Sequence, residues 1–133
     1  MQSSAYKQSV QTQIIANVAN LYYTLLMLDE QLQTTRETSE LWGKNVKAME
    51  AMQKAAMTNT ASVEQSRANY LQINATIPAL QESIRETENS ICKILHEAPH
   101  AITRSTLDAQ QLPANMSAGV PVQLLSNRPD VKA

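Results

Sequence analysis

The residues of this chain that could carry chemistry are two histidines and a few carboxylates. His96 and His100 stand four residues apart, a spacing that can hold a metal ion on one face of a helix. Pro99 lies between them and breaks the helical geometry, and we expect no third ligand nearby. We therefore interpret both histidines as solvated residues at a helix end and predict no metal site.

The carboxylates to consider are Asp29, Glu30, Glu37 and Glu40. General acid–base catalysis would need a histidine, serine or lysine partner beside one of them. The pattern contains no such constellation, so we expect exposed charges on a helix and predict neither catalytic residues nor a cofactor. A net charge of −1 without a basic block also argues against nucleic-acid binding.

The composition is typical of elongated helices rather than of a wide core. Phe is absent and aromatic residues make up only 4% of the chain, which leaves few large side chains to fill an interior. No stretch reaches the ~20 apolar residues of a membrane-spanning helix. The single cysteine, Cys92, permits no internal disulfide and follows Ile91 in an apolar run, so we expect it to be buried.

Two segments repeat apolar or small residues at alternating steps of four and three. The first runs from Ile14 to Ala56 and the second from Val63 to Ile94. A period of about 3.5 residues keeps one seam of a helix facing a partner helix. We therefore predict an all-α fold, a long antiparallel helical hairpin of coiled-coil type.

The predicted hairpin occupies residues 1–97, and its parts follow from local signals. Its helices span about 3–57 and 62–97 around a tip at 57–62, with Thr60 as a candidate N-cap. Pro78 is expected to kink the second helix without splitting it, because the seam continues in phase on both sides. Gly43 either marks a close approach of the backbone to a neighbour or is tolerated by a long helix.

The remainder of the chain has no seam. Prolines and a glycine punctuate residues 98–127, which we expect to form an extended connector. Residues 128–133 resemble the start of a further helix, with Pro129 at its first position and Asp130 in its first turn. We therefore expect the chain to be part of a longer protein.

The seam also predicts a register for the hairpin. Pairing Ala56 with Val63 and stepping outward places Met49 by Tyr70, Val46 by Ile73, Leu28 by Ile91 and Leu25 by Ile94. Residues upstream of Leu25 are then without a partner inside the hairpin. Ile14, Val18 and Leu21 must in that case be covered by something else.

Three short motifs resemble those of the TolC-like outer-membrane efflux channels, in particular the subgroup that serves RND-type pumps. Residues 119–131, GVPVQLLSNRPDV, are similar to the signature G-x-P-x-x-L-L-x-x-R-P-D-[IV] of that subgroup. Residues 19–25, ANLYYTL, resemble A-x-x-Y-x-x-L, and residues 88–91, ENSI, resemble E-N-x-[LI]. The signature positions are Gly119, Pro121, Leu124, Leu125, Arg128, Pro129 and Asp130.

The resemblance implies a trimeric channel with a β-barrel in the outer membrane and a helical tunnel in the periplasm. This chain would supply the periplasmic hairpin of the first structural repeat, and the membrane barrel would lie outside it. The implied function is that of a passive export duct for drugs or other small molecules. An inner-membrane RND-type pump and a periplasmic adaptor are the implied partners, and the parent protein is a candidate lipoprotein.

The resemblance also assigns a role to the hairpin tip, which in such channels meets the adaptor. The corresponding contact residues here are Ala55, Ala56, Met57, Thr58, Asn59 and Thr60, and Ser62 is a candidate gate residue or helix cap. Two positions depart from the family pattern. Ala56 stands where the family usually has Gly, and alanine disfavours a left-handed backbone. Ser62 stands where an Asp is frequent.

Two alternatives belong to another functional class. A periplasmic adaptor, or membrane fusion protein, also uses a long helical hairpin, and a structural coiled-coil module would share the same seam. An adaptor should be flanked by lipoyl-like β-rich sequence, whereas a channel should be flanked by amphipathic strands and a second repeat. The Leu-Leu-x-x-Arg-Pro-Asp signature favours the channel.

Overall fold

A computed structural model describes residues 2–111 of the chain. Helix α1 spans Gln2–Lys54, helix α2 spans Thr60–Leu95, and a short 3₁₀ helix spans Leu107–Ala109. The two long helices pack against each other, and no strand occurs in the described part. The predicted all-α helical hairpin is thus confirmed, whereas the family signature at 119–131 and the helix start at 128–133 lie outside the described residues.

The seam read from the heptads is the buried face of the hairpin. Every seam position from Val18 to Gln53 on α1, and from Val63 to Ile94 on α2, is buried or half-buried. A core cluster of Leu25, Ile84 and Ile91 lies at the end remote from the tip. Cys92 is only 1% exposed, so its predicted burial is confirmed.

Towards the tip the seam becomes polar. The Ser39 hydroxyl donates to Asn74 Oδ1 at 2.7 Å across the two helices, and Ser39 is 7% exposed. No buried side-chain N or O in the described residues lacks a hydrogen-bond partner. Pairing within the seam therefore removes the desolvation cost that these polar groups would otherwise carry.

The predicted register is wrong by nearly two helical turns. Tyr70 was expected beside Met49, but its ring carbon lies 3.4 Å from the position that a Cβ would take on Gly43. The offset is about six residues of α1, or roughly 9 Å. The heptad pattern does not reveal this offset, because apolar and small residues still face one another after a slide of nearly one heptad.

The earlier position of the tip loop accounts for this offset. Helix α1 ends at Lys54 and α2 begins at Thr60, so the loop is centred about two residues earlier than predicted. Helix α2 consequently reaches further along α1, and Leu95 lies in the same groove as Val18. The exposed part of α1 begins upstream of Val18 rather than upstream of Leu25, and residues 6–17 are all exposed.

Two helix breakers are accommodated inside the hairpin. Pro78 lies within α2, which continues as one element through it. The Pro78 side chain is exposed, and the seam residues before and after it, Ile77 and Leu80, remain half-buried. Gly43 lies under the Tyr70 ring, but a Cβ there would meet that side chain at ordinary contact distance, so the glycine is tolerated rather than required by a close backbone approach.

Candidate functional site

The tip of the hairpin is a five-residue loop, Ala55–Asn59. Its first half closes α1 with two hydrogen bonds: the Ala56 N–H donates to the Gln53 carbonyl and the Met57 N–H donates to the Met52 carbonyl, both at 2.9 Å. This is the Schellman arrangement, which satisfies carbonyl groups at a helix end. It requires a left-handed residue, and Ala56 has φ 56°.

The expectation that Ala56 would avoid a left-handed backbone is therefore wrong. An L-residue with a Cβ carries a cost of about 1–2 kcal/mol in this region. The two capping hydrogen bonds and the short connection to α2 offset that cost. In the family pattern that the tip resembles, this position is usually glycine, which adopts a left-handed backbone at no steric cost. Alanine takes the same conformation here, so the residue type alone gave no sign of it.

The second half of the loop caps α2. Asn59 is the N-cap with φ −97° and ψ 164°, and its Oδ1 accepts from both the N–H and the hydroxyl of Ser62 at 2.9 Å. Thr60, predicted as the N-cap, is instead the first helical residue, and its Oγ1 accepts from Gln53 Nε2 at 2.9 Å. Ser62 thus takes part in the cap as a donor, and its role at a gate stays a prediction.

The tip presents an uncharged surface. Met57 is 72% exposed and Met52 is 40% exposed, and Ala55, Ala56, Asn59 and Thr60 are also exposed while Thr58 is half-buried. No ionisable residue lies between Lys54 and Glu64. Such a surface can bind a partner by apolar and hydrogen-bonding contacts, and flexible methionines adapt to irregular surfaces.

The second feature of the molecule is the strap, residues 98–111, which crosses both helices at the far end of the hairpin. Ile102 packs against the core cluster of Leu25, Ile84 and Ile91. Its N–H donates to Glu88 Oε1 at 3.3 Å. Within the part of the predicted connector that the structure describes, the chain is irregular apart from the 3₁₀ helix, and the sequence pattern gave no indication of what it binds.

The strap is held by three charged residues, here called the clasp: Arg104, Asp29 and Glu88. Arg104 binds Asp29 through two parallel contacts, Nη2 to Oδ1 at 2.8 Å and Nε to Oδ2. Its Nη1 donates to Glu88 Oε1 at 2.6 Å and to the Ile102 carbonyl at 3.0 Å. One guanidinium thus binds a carboxylate from each helix, and these bonds raise its pKa above the usual arginine range.

The clasp corrects one interpretation of the sequence. Asp29 was expected to be an exposed helix charge, yet its side chain is 35% exposed and engaged by Arg104. Glu88 belongs to the E-N-x-[LI] motif and is 9% exposed. Arg104 lies 75 residues from Asp29 and 16 from Glu88 in sequence, so no local pattern links the three.

A tyrosine of the other short motif also contacts the strap. The Tyr22 hydroxyl lies 3.4 Å from Ser105 Oγ and accepts from the Ser105 N–H at 3.4 Å. The hydrogen bond with the Ser105 side chain lowers the pKa of Tyr22. The two short motifs therefore share one structural role, since both supply residues that bind the strap.

The histidines lie at the C-terminal end of α2 and beyond it. His96 has φ 58° and closes the helix, while His100 Nδ1 lies 2.9 Å from the Ala98 carbonyl and 3.6 Å from Cys92 Sγ. Glu97 is also near, with Oε2 3.7 Å from His100 Nε2. Within residues 2–111, no three His, Cys, Asp or Glu side chains are grouped as metal ligands.

The start of α1 carries an exposed apolar face. Ile15 is 69% exposed and Tyr23 54% exposed. A groove of about 460 Å³ lies there, and its lining consists of Ile14, Ile15, Val18, Ala19, Tyr22, Tyr23 and Leu95. Over the part of the chain that the structure describes, no helix combines the length and the apolar character needed to cross a membrane.

Curated relatives match nearly the whole chain at low identity. The probable efflux pump outer membrane protein TtgC of Pseudomonas putida is 25% identical over 134 residues, covering 99% of this chain and 28% of the relative. The cation efflux system protein CusC of Escherichia coli is 23% identical over 126 residues, covering 94% of this chain and 27% of the relative. The probable outer membrane lipoprotein SilC of Salmonella typhimurium is 23% identical over 134 residues, covering 97% and 28%.

The chain thus spans somewhat more than a quarter of the length of these relatives. No family model matches it, and no solved structure is significantly similar to it. The aligned region nevertheless covers both helices and the strap, which contain the two short motifs. The chain is therefore related to the TolC-like outer-membrane efflux proteins, and the resemblance carried by its motifs is confirmed.

Proposed function

We propose that this chain forms the periplasmic hairpin of an outer-membrane channel in a tripartite efflux pump. The observation that carries the proposal is the alignment of 94–99% of the chain with proteins named as outer-membrane efflux components. A hairpin with a narrow seam and wide exposed faces is suited to pack beside other helices in a larger helical wall. The proposed activity is passive conduction, with no bond chemistry performed by the chain.

The proposed partners follow from the two ends of the hairpin. The uncharged tip, with Met57 at its apex, is the proposed contact for a periplasmic adaptor, which couples the channel to an inner-membrane RND-type pump. The exposed apolar face at the start of α1 is the proposed contact with other segments of a homotrimer. The hairpin would lie in the periplasm and the membrane-embedded part of the parent protein elsewhere.

The cargo is proposed only as a class, drugs and other small molecules. The names of the relatives mention toluene, cations and pyoverdine, which have no chemistry in common. The name of SilC supports a parent lipoprotein. The alternative of a periplasmic adaptor is less well supported, because the relatives are named for the outer membrane.

The test of the duct is accumulation of a fluorescent efflux substrate such as ethidium in the host after deletion of the gene. We expect the deletion strain to accumulate more ethidium, and the wild-type gene to restore export. Equal accumulation in both strains, over a panel of drugs and metal ions, would contradict an efflux role.

The test of the tip is photo-crosslinking in cells with a reactive amino acid at Met57. We expect capture of a protein whose sequence contains a lipoyl-like domain, identified by mass spectrometry. The matched control places the same group at Leu41, which is 65% exposed in the middle of α1. Capture of the adaptor from position 41 and not from position 57 would refute the tip assignment.

A further inference from the structure

The seam of this hairpin is compatible with two axial registers. In the observed register Asn74 bonds Ser39 and the Tyr70 ring covers Gly43. In the register that the heptads predict, α2 is slid by roughly 9 Å and Tyr70 lies beside Met49. Apolar residues face apolar or small residues in both, so the apolar seam positions by themselves do not choose between them, and the Ser39–Asn74 hydrogen bond is the seam contact that favours the observed register.

The two registers differ in which residues form the tip. The observed register ends α1 at Lys54 and holds Ala56 at φ 56°, a conformation that L-residues rarely adopt. The alternative register continues α1 to about residue 57 and begins α2 near residue 62. Ala56 would then be helical and unstrained, and the loop would run through Thr60 instead of ending before it.

The clasp fits the observed register and not the alternative. A helical side chain leans towards the N-terminus of its own helix, so Asp29 leans away from the tip and Glu88 leans towards it. The two carboxylates converge only if the Glu88 backbone lies further from the tip than that of Asp29. The observed register satisfies this, whereas the alternative brings Glu88 nearer the tip and moves the carboxylates apart.

We propose that the clasp is a register lock: by binding Asp29 and Glu88 with one guanidinium, Arg104 selects the register that strains Ala56. Glu88 lies roughly 40 Å along α2 from Thr60, so release of the strap would change the tip at that distance. The hairpin then has the two discrete arrangements that transmission of a change between distant sites requires. The inference concerns the fold and does not depend on the proposed function.

The test is a spin-label distance measurement between exposed positions 47 on α1 and 86 on α2, in the 133-residue chain with Cys92→Ala throughout. We expect one distance in the reference chain and, in Arg104→Gln, a second population shorter by roughly 9 Å. Adding Ala56→Gly to Arg104→Gln should restore the long distance, because glycine removes the strain. Labels at positions 31 and 47, both on α1, control for changes within one helix.

Two further variants keep the outcome decisive. Asp29→Asn weakens one arm of the clasp and leaves Glu88 paired, so it should stay folded and show a smaller short-distance population. Arg85→Gln removes an equal charge from an exposed site on α2 and should show none. A single unshifted distance in every folded clasp variant would overturn the proposal, and so would unfolding of both clasp variants, because the proposal requires a second folded register.

Discussion

The Arg104 guanidinium grips the Asp29 carboxylate with two parallel N–H donors, although the two residues lie 75 positions apart in the chain. The Arg104 side chain is 18% exposed, so water screens the pair only in part. This contact fastens an otherwise irregular segment to α1. Its second carboxylate, Glu88, fastens the same segment to α2.

Replacing Arg104 with Ala should lower the free energy of unfolding by about 2–3 kcal/mol, because Glu88 is then left nearly buried without its charged partner. Urea denaturation followed by circular dichroism measures the change. Arg85→Ala, at an exposed site, is the matched control and should change stability by about 0.5 kcal/mol at most. Equal effects of the two variants would show that the clasp contributes nothing specific.

Replacing Ala56 with Gly should raise the free energy of unfolding by about 0.5 kcal/mol. Glycine removes the cost of the left-handed backbone but adds disorder to the unfolded chain, so the gain is a difference of two terms. Ala51→Gly, three residues before the end of α1, should instead destabilise by about 1 kcal/mol. Effects of the same sign at both positions would contradict a left-handed residue 56.

Asn59→Ala should destabilise the hairpin by about 1 kcal/mol, because the Ser62 N–H loses its acceptor at the start of α2. Asn59→Asp should retain stability, since aspartate accepts the same bond and its charge suits a helix N-terminus. Thermal unfolding of both variants measures the difference. If Thr60→Ala were the more damaging change, Thr60 rather than Asn59 would be the cap.

Gly43→Ala should stabilise α1 by up to about 1 kcal/mol, the difference in helix propensity between the two residues. An added Cβ would lie 3.4 Å from the Tyr70 ring, which is ordinary contact rather than overlap. Gly43→Val should destabilise, because its branches have no space under that ring. Urea denaturation of the two variants, with opposite shifts of the midpoint, checks this packing.

The fold class was accessible from sequence because a single physical signal, the seam, extends through both helices. Apolar residues that recur about every 3.5 positions lie on one face of a helix, and a partner helix buries that face. Leu25, Ile84 and Ile91 are buried as expected. The register was not accessible, because the same repetition makes a slid seam nearly equivalent. Ser39 and Asn74, which do distinguish registers, look like ordinary polar residues in the sequence.

The clasp was missed and the N-cap at the tip was assigned to the wrong residue, for different reasons. Arg104 lies in a stretch without periodicity, and Asp29 has the surroundings of a solvated helix charge, so only the folded chain brings them together. At the tip the residue types were informative but ambiguous: Asn59, Thr60 and Ser62 are all good caps, and the choice depends on where α1 stops. That point is set by Ala56, which adopts the left-handed conformation although its Cβ disfavours it.

The uncharged stretch between Lys54 and Glu64 has a kinetic consequence. Electrostatic steering accelerates encounters only when both surfaces carry fields, and salt then slows them. A partner that docks at this tip should therefore associate at the ordinary rate of about 10⁵–10⁶ M⁻¹s⁻¹ and hardly respond to ionic strength. Selectivity at such a contact must come from shape and from the lifetime of the complex, not from the speed of its formation.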